Sequence, residues 1–253
     1  MKFHQPKKSL AQHFLINKEV AALVANAVKV DVPYKTLLEV GPGRGILTGN
    51  LIETEKEFYV VELDNRLIDI LKKQFPGVEV RNEDFLKYDI RSHNGQVAIV
   101  GNFPYNISSQ IVFKVIENRS QVPIMAGMFQ KEVATRIAGS GGKKDYGVLS
   151  VLTQAYYDVE YLFDVPATDF DPPPQVTSGV IRLIRKSSEP DIEFEKLRTV
   201  VKAAFSTRRK TLRNCLKSLI PDKEEMQDEF FDRRAEQLSV DEFIELTKTI
   251  FPQ

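Results

Sequence analysis

The feature that most constrains this chain is a regular alternation of strand and helix patterns over its first 130 residues. Short apolar runs that predict strands occur at residues 36–40, 58–62, 78–80, 97–100 and 123–129. Apolar residues at helical spacing lie between several of these runs, and a helix is expected from Ser108 or Ser109 through Ile116. Because strands that alternate with helices usually pair in parallel, we predict an α/β fold with a Rossmann-like, doubly wound parallel sheet.

The pattern changes in the second half of the chain. Residues 176–184 alternate in polarity, which predicts an antiparallel strand, whereas residues 193–250 carry helical patterns only. We therefore predict two domains, one spanning residues 1–187 and a small all-α domain spanning residues 188–253. The glycine-rich stretch 139–144 is expected to be a flexible loop.

Composition excludes several classes of protein. The single cysteine, Cys215, rules out an internal disulfide, and three histidines without ligand spacing rule out a typical metal site. No run of about 18 apolar residues is present, and no apolar segment follows the N-terminal lysines. We therefore expect neither a metal nor a membrane partner, and we expect a cytoplasmic location.

The net charge is zero, but charge is distributed unevenly along the chain. Residues 1–18 and 196–217 carry lysine and arginine without any acid, whereas residues 222–245 are strongly acidic. The basic segments indicate a face that binds polyanions, although a solvated helix balanced by the acidic stretch would give the same pattern. The candidate RNA-binding residues are Lys7, Lys8, Arg208, Arg209, Lys210 and Arg213.

Two local structures are compatible with the second basic segment. If one helix continues through it, Arg198, Lys202, Arg209 and Arg213 lie on one face. Alternatively, Ser206 or Thr207 caps a second helix that begins near Arg208. In either arrangement the cations suit RNA phosphates, whose neutralisation makes binding sensitive to salt.

A glycine-rich turn follows the first predicted strand, at residues 39–45. Gly41 and Gly43 allow the backbone to pass close to a ligand at the end of the strand. The spacing G-x-G-x-G departs from the G-x-G-x-x-G of dinucleotide sites, which favours an adenosyl ligand without a pyrophosphate. Tight packing of a strand against a helix would also explain glycines here.

Acidic residues follow the next two predicted strands. Glu62 could accept hydrogen bonds from both hydroxyls of a ribose, and Asp84, followed by Phe85, could accept one from the exocyclic amine of an adenine. Each residue alone would more often be a solvated carboxylate. Together with the glycine turn, they predict an S-adenosylmethionine site.

Asn102-Phe103-Pro104-Tyr105 follows the fourth predicted strand directly. The lone pair of an amino group on a base is delocalised into the ring, so acceptors on both hydrogens are needed to direct it at a methyl donor. The Asn102 oxygen and the carbonyl of Pro104 or Phe103 could be these acceptors, in a reaction that uses orientation and electrostatics alone.

Two aromatic residues could hold the base. Tyr105 could stack on it, and a base in a duplex would first have to be flipped out. Phe170, beside the proline run 172–174, is a candidate for a second stacking face, and an ordinary core position explains it equally well.

These motifs together resemble the KsgA-type family of small-subunit rRNA adenine N6,N6-dimethyltransferases. The resemblance covers about four fifths of the chain. It rests on the segments 12–15, 39–43, 61–64, 102–108, 130–133, 146–150, 170–178 and 205–214. Two positions differ from common family residues: His13 stands where asparagine is frequent, and Phe103 where leucine is frequent.

The resemblance implies dimethylation of two adjacent adenosines in a hairpin loop near the 3′ end of small-subunit rRNA, late in ribosome assembly. It implies a precursor of the small subunit as partner, and we expect the chain to act as a monomer. The cofactor contacts that the resemblance implies are His13, Leu15, Gly41, Glu62, Asp84 and Asn102.

Two alternatives remain at this point. The first is a large-subunit rRNA adenine methylase of the macrolide-resistance type, which shares the fold and the glycine turn. The second is a noncatalytic assembly or transcription factor on the same scaffold. The Asn102 motif and the 208–210 basic run favour the small-subunit enzymes, and the intact Asn102, Glu62 and Asp84 favour catalysis.

Overall fold

A computed structural model describes residues 12–220 and 226–252 of the chain. Lys7 and Lys8, which we predicted to bind RNA, lie outside the described residues. The chain groups into two compact units: Met1–Ala134 with Val159–Arg185, and Thr135–Asp158 with Lys186–Gln253. No helix in the described part of the chain is long and apolar enough to cross a membrane.

Strands and helices alternate through most of the chain. The first half contains β1 (Phe14–Leu15), α1 (Lys18–Asn26), β2 (Thr36–Val40), α2 (Thr48–Leu51), β3 (Glu57–Val61), α3 (Asn65–Gln74), β4 (Glu79–Arg81), β5 (Val97–Asn102) and α4 (Ser108–Glu117). The second half contains β6 (Ile124–Gln130), α5 (Lys131–Ile137), α6 (Val148–Gln154), β7 (Tyr157–Val165), β8 (Phe170–Asp171), β9 (Ser178–Arg185), α7 (Phe194–Ala204), α8 (Leu212–Cys215) and α9 (Val240–Ile250).

Seven strands form one sheet in the order β4-β3-β2-β5-β6-β9-β7. The strands from β4 to β6 pair in parallel, and β9 pairs antiparallel with β6. From β2, the chain adds β3 and β4 on one side and then β5 and β6 on the other side. This strand order confirms the predicted Rossmann-like fold. In such sheets, ligands bind outside the carboxyl ends of the strands, at the point where the order reverses.

The core of the first unit follows from the strand sequences. All five residues of β2 and the first five of β5 are buried, as expected for parallel strands covered on both faces. The buried residues of α1 (Ala21, Val24 and Ala25) pack in one cluster with Leu37 and Val100 of the sheet. These apolar contacts fix the strands whose ends carry the polar motifs.

The basic segment 196–217 is not one helix. α7 ends at Ala204, and α8 begins only after Thr211, so neither Ser206 nor Thr207 caps a helix near Arg208. Phe205 packs against the rings of Tyr146 and Phe243, at centroid distances of 6.0 and 5.6 Å. The buried Leu212 donates its N–H to the Arg233 carbonyl at 2.8 Å. The chain turns between Phe205 and Leu212, and a continuous helix could not make this turn.

The two compact units do not divide at the predicted boundary. Residues 135–158 group with the C-terminal helices, because α6 packs on α7 and the Tyr156 ring meets Phe194 edge-on at 6.0 Å. The Lys186 N–H also donates to the Tyr156 carbonyl at 3.0 Å. A division of functional domains at residue 187 therefore stays a prediction.

Candidate active site

A cavity opens at the carboxyl ends of the parallel strands in the first unit. It lies where β2, β3 and β5 end, as expected for a doubly wound sheet. Ten predicted site residues line it: His13, Leu15, Gly41, Gly43, Glu62, Asp84, Phe85, Asn102, Pro104 and Tyr105. Folding thus brings together motifs that are widely separated in the sequence.

At Gly43 the turn requires a glycine for two reasons, its left-handed backbone conformation and its close approach to Phe14. Gly43 has φ +56°, in the left-handed region, and a Cβ there would lie 2.8 Å from Cδ1 of Phe14. The backbone therefore packs directly on β1, at a position where a larger residue would push the Phe14 ring away. This contact explains why the turn and the segment around His13 form one wall of the cavity.

Glu62, at the end of β3, is buried and oriented by backbone donors. Its carboxylate accepts the N–H of Gly43 at 3.1 Å and the N–H of Asp64 at 2.8 Å. Burial raises the pKa of Glu62, while these two hydrogen bonds act in the opposite direction. The carboxylate is thus held at the glycine turn, and its remaining lone pairs are suited to accept from two hydroxyl groups.

Asp64 anchors the segment that follows Glu62. It is buried and bonded to Arg66, with 2.5 Å between Nη2 and Oδ2, and it accepts a hydrogen bond of 3.0 Å from the Gln12 side chain. The Arg66 guanidinium holds the pKa of Asp64 well below its usual range. Gln12 and Asp64 lie in motifs that we noted in the sequence, but we predicted no role for either residue.

Glu39 lies in β2, at the floor of the cavity, and is 1% exposed. Burial raises its pKa to about 8, while the Thr48 hydroxyl, which donates to Oε2 at 2.7 Å, opposes this shift. Burial thus favours the protonated form of this side chain. We included Glu39 in the glycine-turn motif from the sequence without expecting its carboxyl group to be buried.

Asp84 begins the turn that follows β4. Its Oδ1 accepts the N–H of Leu86 at 2.9 Å, and its carbonyl accepts the N–H of Lys87 at 2.9 Å. The neighbouring Phe85 is buried, and both residues line the cavity. A carboxylate and an aromatic ring are thus available at the strand end where we predicted contacts to an adenine.

Asn102 is held in a defined orientation at the end of β5. Its Nδ2 donates to the His13 carbonyl at 2.9 Å, which leaves Oδ1 as the acceptor of this amide. The next residue, Phe103, is buried and packs on Phe129 at 4.9 Å between ring centroids. A Cβ on Gly127 would lie 2.4 Å from the Phe103 ring and 2.2 Å from the Gly101 carbonyl oxygen. The ring therefore occupies a slot that depends on glycine in β6.

His13 and Tyr105 form a second contact across the cavity wall. Their rings stack at 5.5 Å with an interplanar angle of 26°. Nδ1 of His13 lies 2.8 Å from the Pro172 carbonyl oxygen, so Nδ1 carries the proton and donates. The Tyr105 hydroxyl is bonded to Oγ of Ser178 at 2.6 Å. One face of Tyr105 is thus covered by His13, and a base would have to use the other face.

Phe170 lies in the core, as the alternative interpretation of the sequence has it, and its role as a second stacking face stays a prediction. It is 2% exposed, belongs to the cluster that contains Leu15 and Val165, and is not among the described residues that line the cavity. Its backbone pairs with Leu15 in the short β1–β8 ladder. The ring is buried because this ladder turns it toward the sheet.

The predicted RNA-binding residues that the structure describes lie in the second unit and differ in their environment. Arg208, Arg209 and Lys210 are exposed. Arg213 is engaged inside the unit: its side chain pairs with Asp232 at 2.8 Å and donates to the carbonyls of Met226 and Asp228. These contacts compensate the charge of Arg213 inside the unit, and its role in RNA binding stays a prediction.

Arg44 also lines the cavity, and we did not predict it from the sequence. Its Nη1 pairs with Asp171 at 2.8 Å, and its guanidinium lies 4.4 Å from the centre of the Phe14 ring. The residue lies in the glycine turn, but its partners are far away in the sequence. Within residues 12–220 and 226–252, no group of three or more His, Cys, Asp or Glu side chains is arranged to hold a metal.

Comparison with known proteins assigns the family. The family model described as "Ribosomal RNA adenine dimethylase" matches residues 3–251. The chain belongs to the ribosomal RNA adenine dimethylase family. "Ribosomal RNA small subunit methyltransferase A" from Flavobacterium johnsoniae is 49% identical over 96% of this chain and 95% of the relative.

Solved structures of the same architecture agree with this assignment. A dimethyladenosine transferase from Plasmodium falciparum is 25% identical, with a TM-score of 0.80 over 92% of this chain and 96% of that chain. The 23S rRNA methyltransferase ErmE is 28% identical, with a TM-score of 0.70 over 92% and 98% of the two chains. As a family member, the chain is an S-adenosylmethionine-dependent rRNA adenine dimethyltransferase.

The residues at the cavity fit this cofactor. Gly41 and Gly43 offer backbone without side chains at the cavity, and the buried Glu62 carboxylate lies beside them. Leu15 and Phe85 provide buried apolar surface, and Asp84 provides an acceptor next to Phe85. A mixed apolar and polar lining with a few fixed acceptors is typical of nucleoside sites.

Proposed function

We propose that the chain dimethylates N6 of two adjacent adenosines in the hairpin loop near the 3′ end of small-subunit rRNA. Support for the small subunit comes from the full-length relatives that carry this subunit in their names, at 45–49% identity. The structure related to the large-subunit alternative, ErmE, is 28% identical. The retained cavity with Asn102, Glu62 and Asp84 favours an enzyme over a noncatalytic factor.

The orientation of Asn102 carries the proposed mechanism. Because Nδ2 is bonded to the His13 carbonyl, Oδ1 is the atom that accepts one N–H of the target amine. A backbone carbonyl of the same motif accepts the other N–H. The Pro104 carbonyl already accepts the N–H of Ile107 at 3.2 Å, so we assign this second role to the Phe103 carbonyl.

These two acceptors change the electronic state of the amine. In the first transfer, hydrogen bonds to both N–H groups draw the nitrogen away from conjugation with the ring, and its lone pair then points out of the plane of the base. In the second transfer the amine retains one N–H, so only one of the two acceptors is used. Bound S-adenosylmethionine would supply a methyl group activated by positively charged sulfur, which keeps the electron pair of the broken bond, and the amine loses one N–H proton to solvent in each transfer. The protein contributes orientation and fixed dipoles, which require no reorganisation during the reaction.

The residues that hold the two ligands follow from the cavity. We propose that Glu62 accepts from the ribose hydroxyls and that Asp84, with Phe85, holds the adenine of the cofactor. His13, Leu15, Gly41 and Gly43 form the wall on the other side of Glu62. The target base stacks on the face of Tyr105 opposite His13.

We also propose that the C-terminal part of the chain, residues 188–253, binds the precursor of the small subunit through its exposed cations. We also propose that the chain acts as a monomer. Bacterial ribosomal subunits assemble in the cytoplasm, which is where the enzyme would act. Light scattering of the purified chain tests the monomer.

A methyl-transfer assay tests the proposed function. Purified enzyme is incubated with undermethylated small subunits, with large subunits and with free rRNA, and N6,N6-dimethyladenosine is quantified by mass spectrometry. We expect the product in the small-subunit rRNA. Product in large-subunit rRNA alone would contradict the proposal, and so would the absence of product from every substrate.

A further inference from the structure

The second unit joins two basic segments that are distant in the sequence. The Arg208 guanidinium donates to the carbonyl oxygens of Lys144 and Tyr146, and 64 residues separate Arg208 from Lys144. The distance to the Tyr146 oxygen is 3.2 Å. Nη2 of Arg208 makes both hydrogen bonds, so this side chain ties the turn after α7 to the loop before α6.

The loop before α6, residues 139–146, is attached at a second point as well. The Gly142 N–H donates to the Glu236 carbonyl at 2.6 Å, and a Cβ on Gly141 would lie 3.3 Å from the Leu238 carbonyl oxygen. The glycine-rich stretch that we expected to be flexible therefore packs closely on another segment of the same unit. Its two lysines, Lys143 and Lys144, are consequently held next to Arg208.

We propose that these two segments form one phosphate-binding surface, the basic patch, consisting of Lys143, Lys144, Arg208, Arg209 and Lys210. Arg208 holds the two halves together, and the other four side chains contact RNA phosphates. The proposal rests on the proposed function, since it names an additional part of the rRNA contact. We predicted no binding role for Lys143 or Lys144 from the sequence.

Exposure and charge support a polyanion as the partner. All five side chains of the basic patch are exposed, and Asp145, which is partly buried, is the one acid within residues 139–146 and 205–211. Cations closer than a Debye length, about 8 Å at physiological salt, repel one another. A row of phosphates relieves this repulsion and releases counterions, which a neutral partner would not do.

Arg213 shows the contrasting case in the same basic segment. Its guanidinium pairs with Asp232 and with backbone carbonyls, so its charge is compensated inside the unit. The Arg208 guanidinium instead donates to two neutral carbonyls, so its positive charge adds to that of the patch. The charge of the patch is therefore concentrated at the two joined segments.

The first experiment measures binding to undermethylated small subunits over a range of salt concentrations. We expect Lys143→Gln/Lys144→Gln to weaken binding and to reduce the slope of log K against log salt by about 0.7–0.9 for each phosphate that is no longer neutralised. Arg209→Gln/Lys210→Gln should act similarly. The matched control is Lys72→Gln/Lys73→Gln, which removes the same charge from an exposed part of α3.

The second experiment tests the role of Arg208. Arg208→Lys keeps the charge but loses the planar guanidinium, whose Nη2 contacts the two carbonyls. We expect Lys143→Gln/Lys144→Gln to cost less affinity in the Arg208→Lys background than in the wild type.

Hydrogen exchange provides a separate readout: in the wild type, amides of residues 139–146 should exchange more slowly when the subunit is bound.

Each outcome decides the proposal. An unchanged salt slope in Lys143→Gln/Lys144→Gln, or an equal change in the control, would overturn the basic patch. Equal losses in both Arg208 backgrounds would overturn the joining role. Wild-type methylation of the same subunits is measured separately. The proposed function can therefore fail while the basic patch is supported, and the basic patch can fail while the proposed function is supported.

Discussion

At the cavity of the first unit, Glu62, Asp84 and Asn102 are buried or partly buried and held by hydrogen bonds, whereas the cations of the basic patch in the second unit are exposed. Glu62 and Asn102 are oriented by backbone groups at 2.8–3.1 Å. Arg209 and Lys210 are exposed side chains on a turn. Orientation of a small reacting group requires fixed positions, whereas attraction of a long polyanion requires charge density and tolerates side-chain motion.

The largest effect is expected at Asn102. Asn102→Ala removes the acceptor of the cavity and should lower turnover about a hundredfold or more, by analogy with the loss of one preorganised polar contact. Cofactor affinity should change much less. Single-turnover methylation and calorimetry measure the two quantities.

Two further variants make this test specific. Asn102→Asp keeps the oxygen but replaces the donor with an oxygen that would face the His13 carbonyl, so turnover should also fall. Asn94→Ala, at an exposed position outside the cavity, is the control and should leave turnover unchanged. Normal turnover in Asn102→Ala would contradict the acceptor role.

The second largest effect is expected for cofactor affinity. Glu62→Ala removes the proposed ribose contact and leaves the N–H groups of Gly43 and Asp64 without their acceptor. A loss of about 1–3 kcal/mol corresponds to roughly a fivefold to 150-fold weaker affinity. Calorimetry with S-adenosylhomocysteine checks this, and an unchanged dissociation constant would remove Glu62 from the cofactor site.

The next effect, when it is expressed per pH unit, is the change in the free energy of unfolding that the titration of Glu39 causes. Its pKa is about 8 in the folded chain and near 4.5 when unfolded, so between these values the folded state binds more protons. Stability should therefore fall as pH rises through this window, by at most about 1.4 kcal/mol per pH unit. Above pH 8 this contribution to the slope disappears.

Urea unfolding of Glu39→Gln across this pH range measures the effect. The amide keeps an acceptor for Thr48 and cannot ionise, so the variant should gain stability relative to the wild type as pH rises. A constant difference between the two proteins from pH 5 to pH 8 would show that Glu39 is ionised throughout.

The smallest effect separates the two kinds of arginine in the basic segment. Arg213→Ala should lower the free energy of unfolding by about 1 kcal/mol, because it loses the Asp232 pair and two carbonyl contacts near the surface. The salt slope of subunit binding should stay unchanged. A lower slope without loss of stability would support the role of Arg213 in RNA binding.

The sequence allowed prediction of those features that depend on neighbouring residues. The alternation of strands and helices, the glycine turn and the polar residues at strand ends are local signals, and they locate the cavity because parallel strands end at one edge of a sheet. β2 begins and ends at the predicted residues, and α4 begins at Ser108.

Features that depend on distant partners were missed or misassigned. The Arg44–Asp171 pair joins residues 127 positions apart, and nothing near Arg44 indicates its partner. The sequence left two interpretations of Phe170 open, because its burial follows from the pairing of β8 with β1. The break between α7 and α8 depends on the packing of Phe205 and Leu212, whose partners lie in other segments.

The slot that Phe103 occupies has a consequence for how the enzyme responds to its ionic surroundings. The residue after Asn102 is fastened to the sheet by contact between a ring and the glycine-bearing backbone of β5 and β6. Such dispersion contacts are insensitive to dissolved ions, whereas attraction between cations and phosphates weakens as ions accumulate. Under the proposed subunit contact, potassium or magnesium levels in the cell should therefore affect capture of the ribosomal particle more than the packing that positions Asn102.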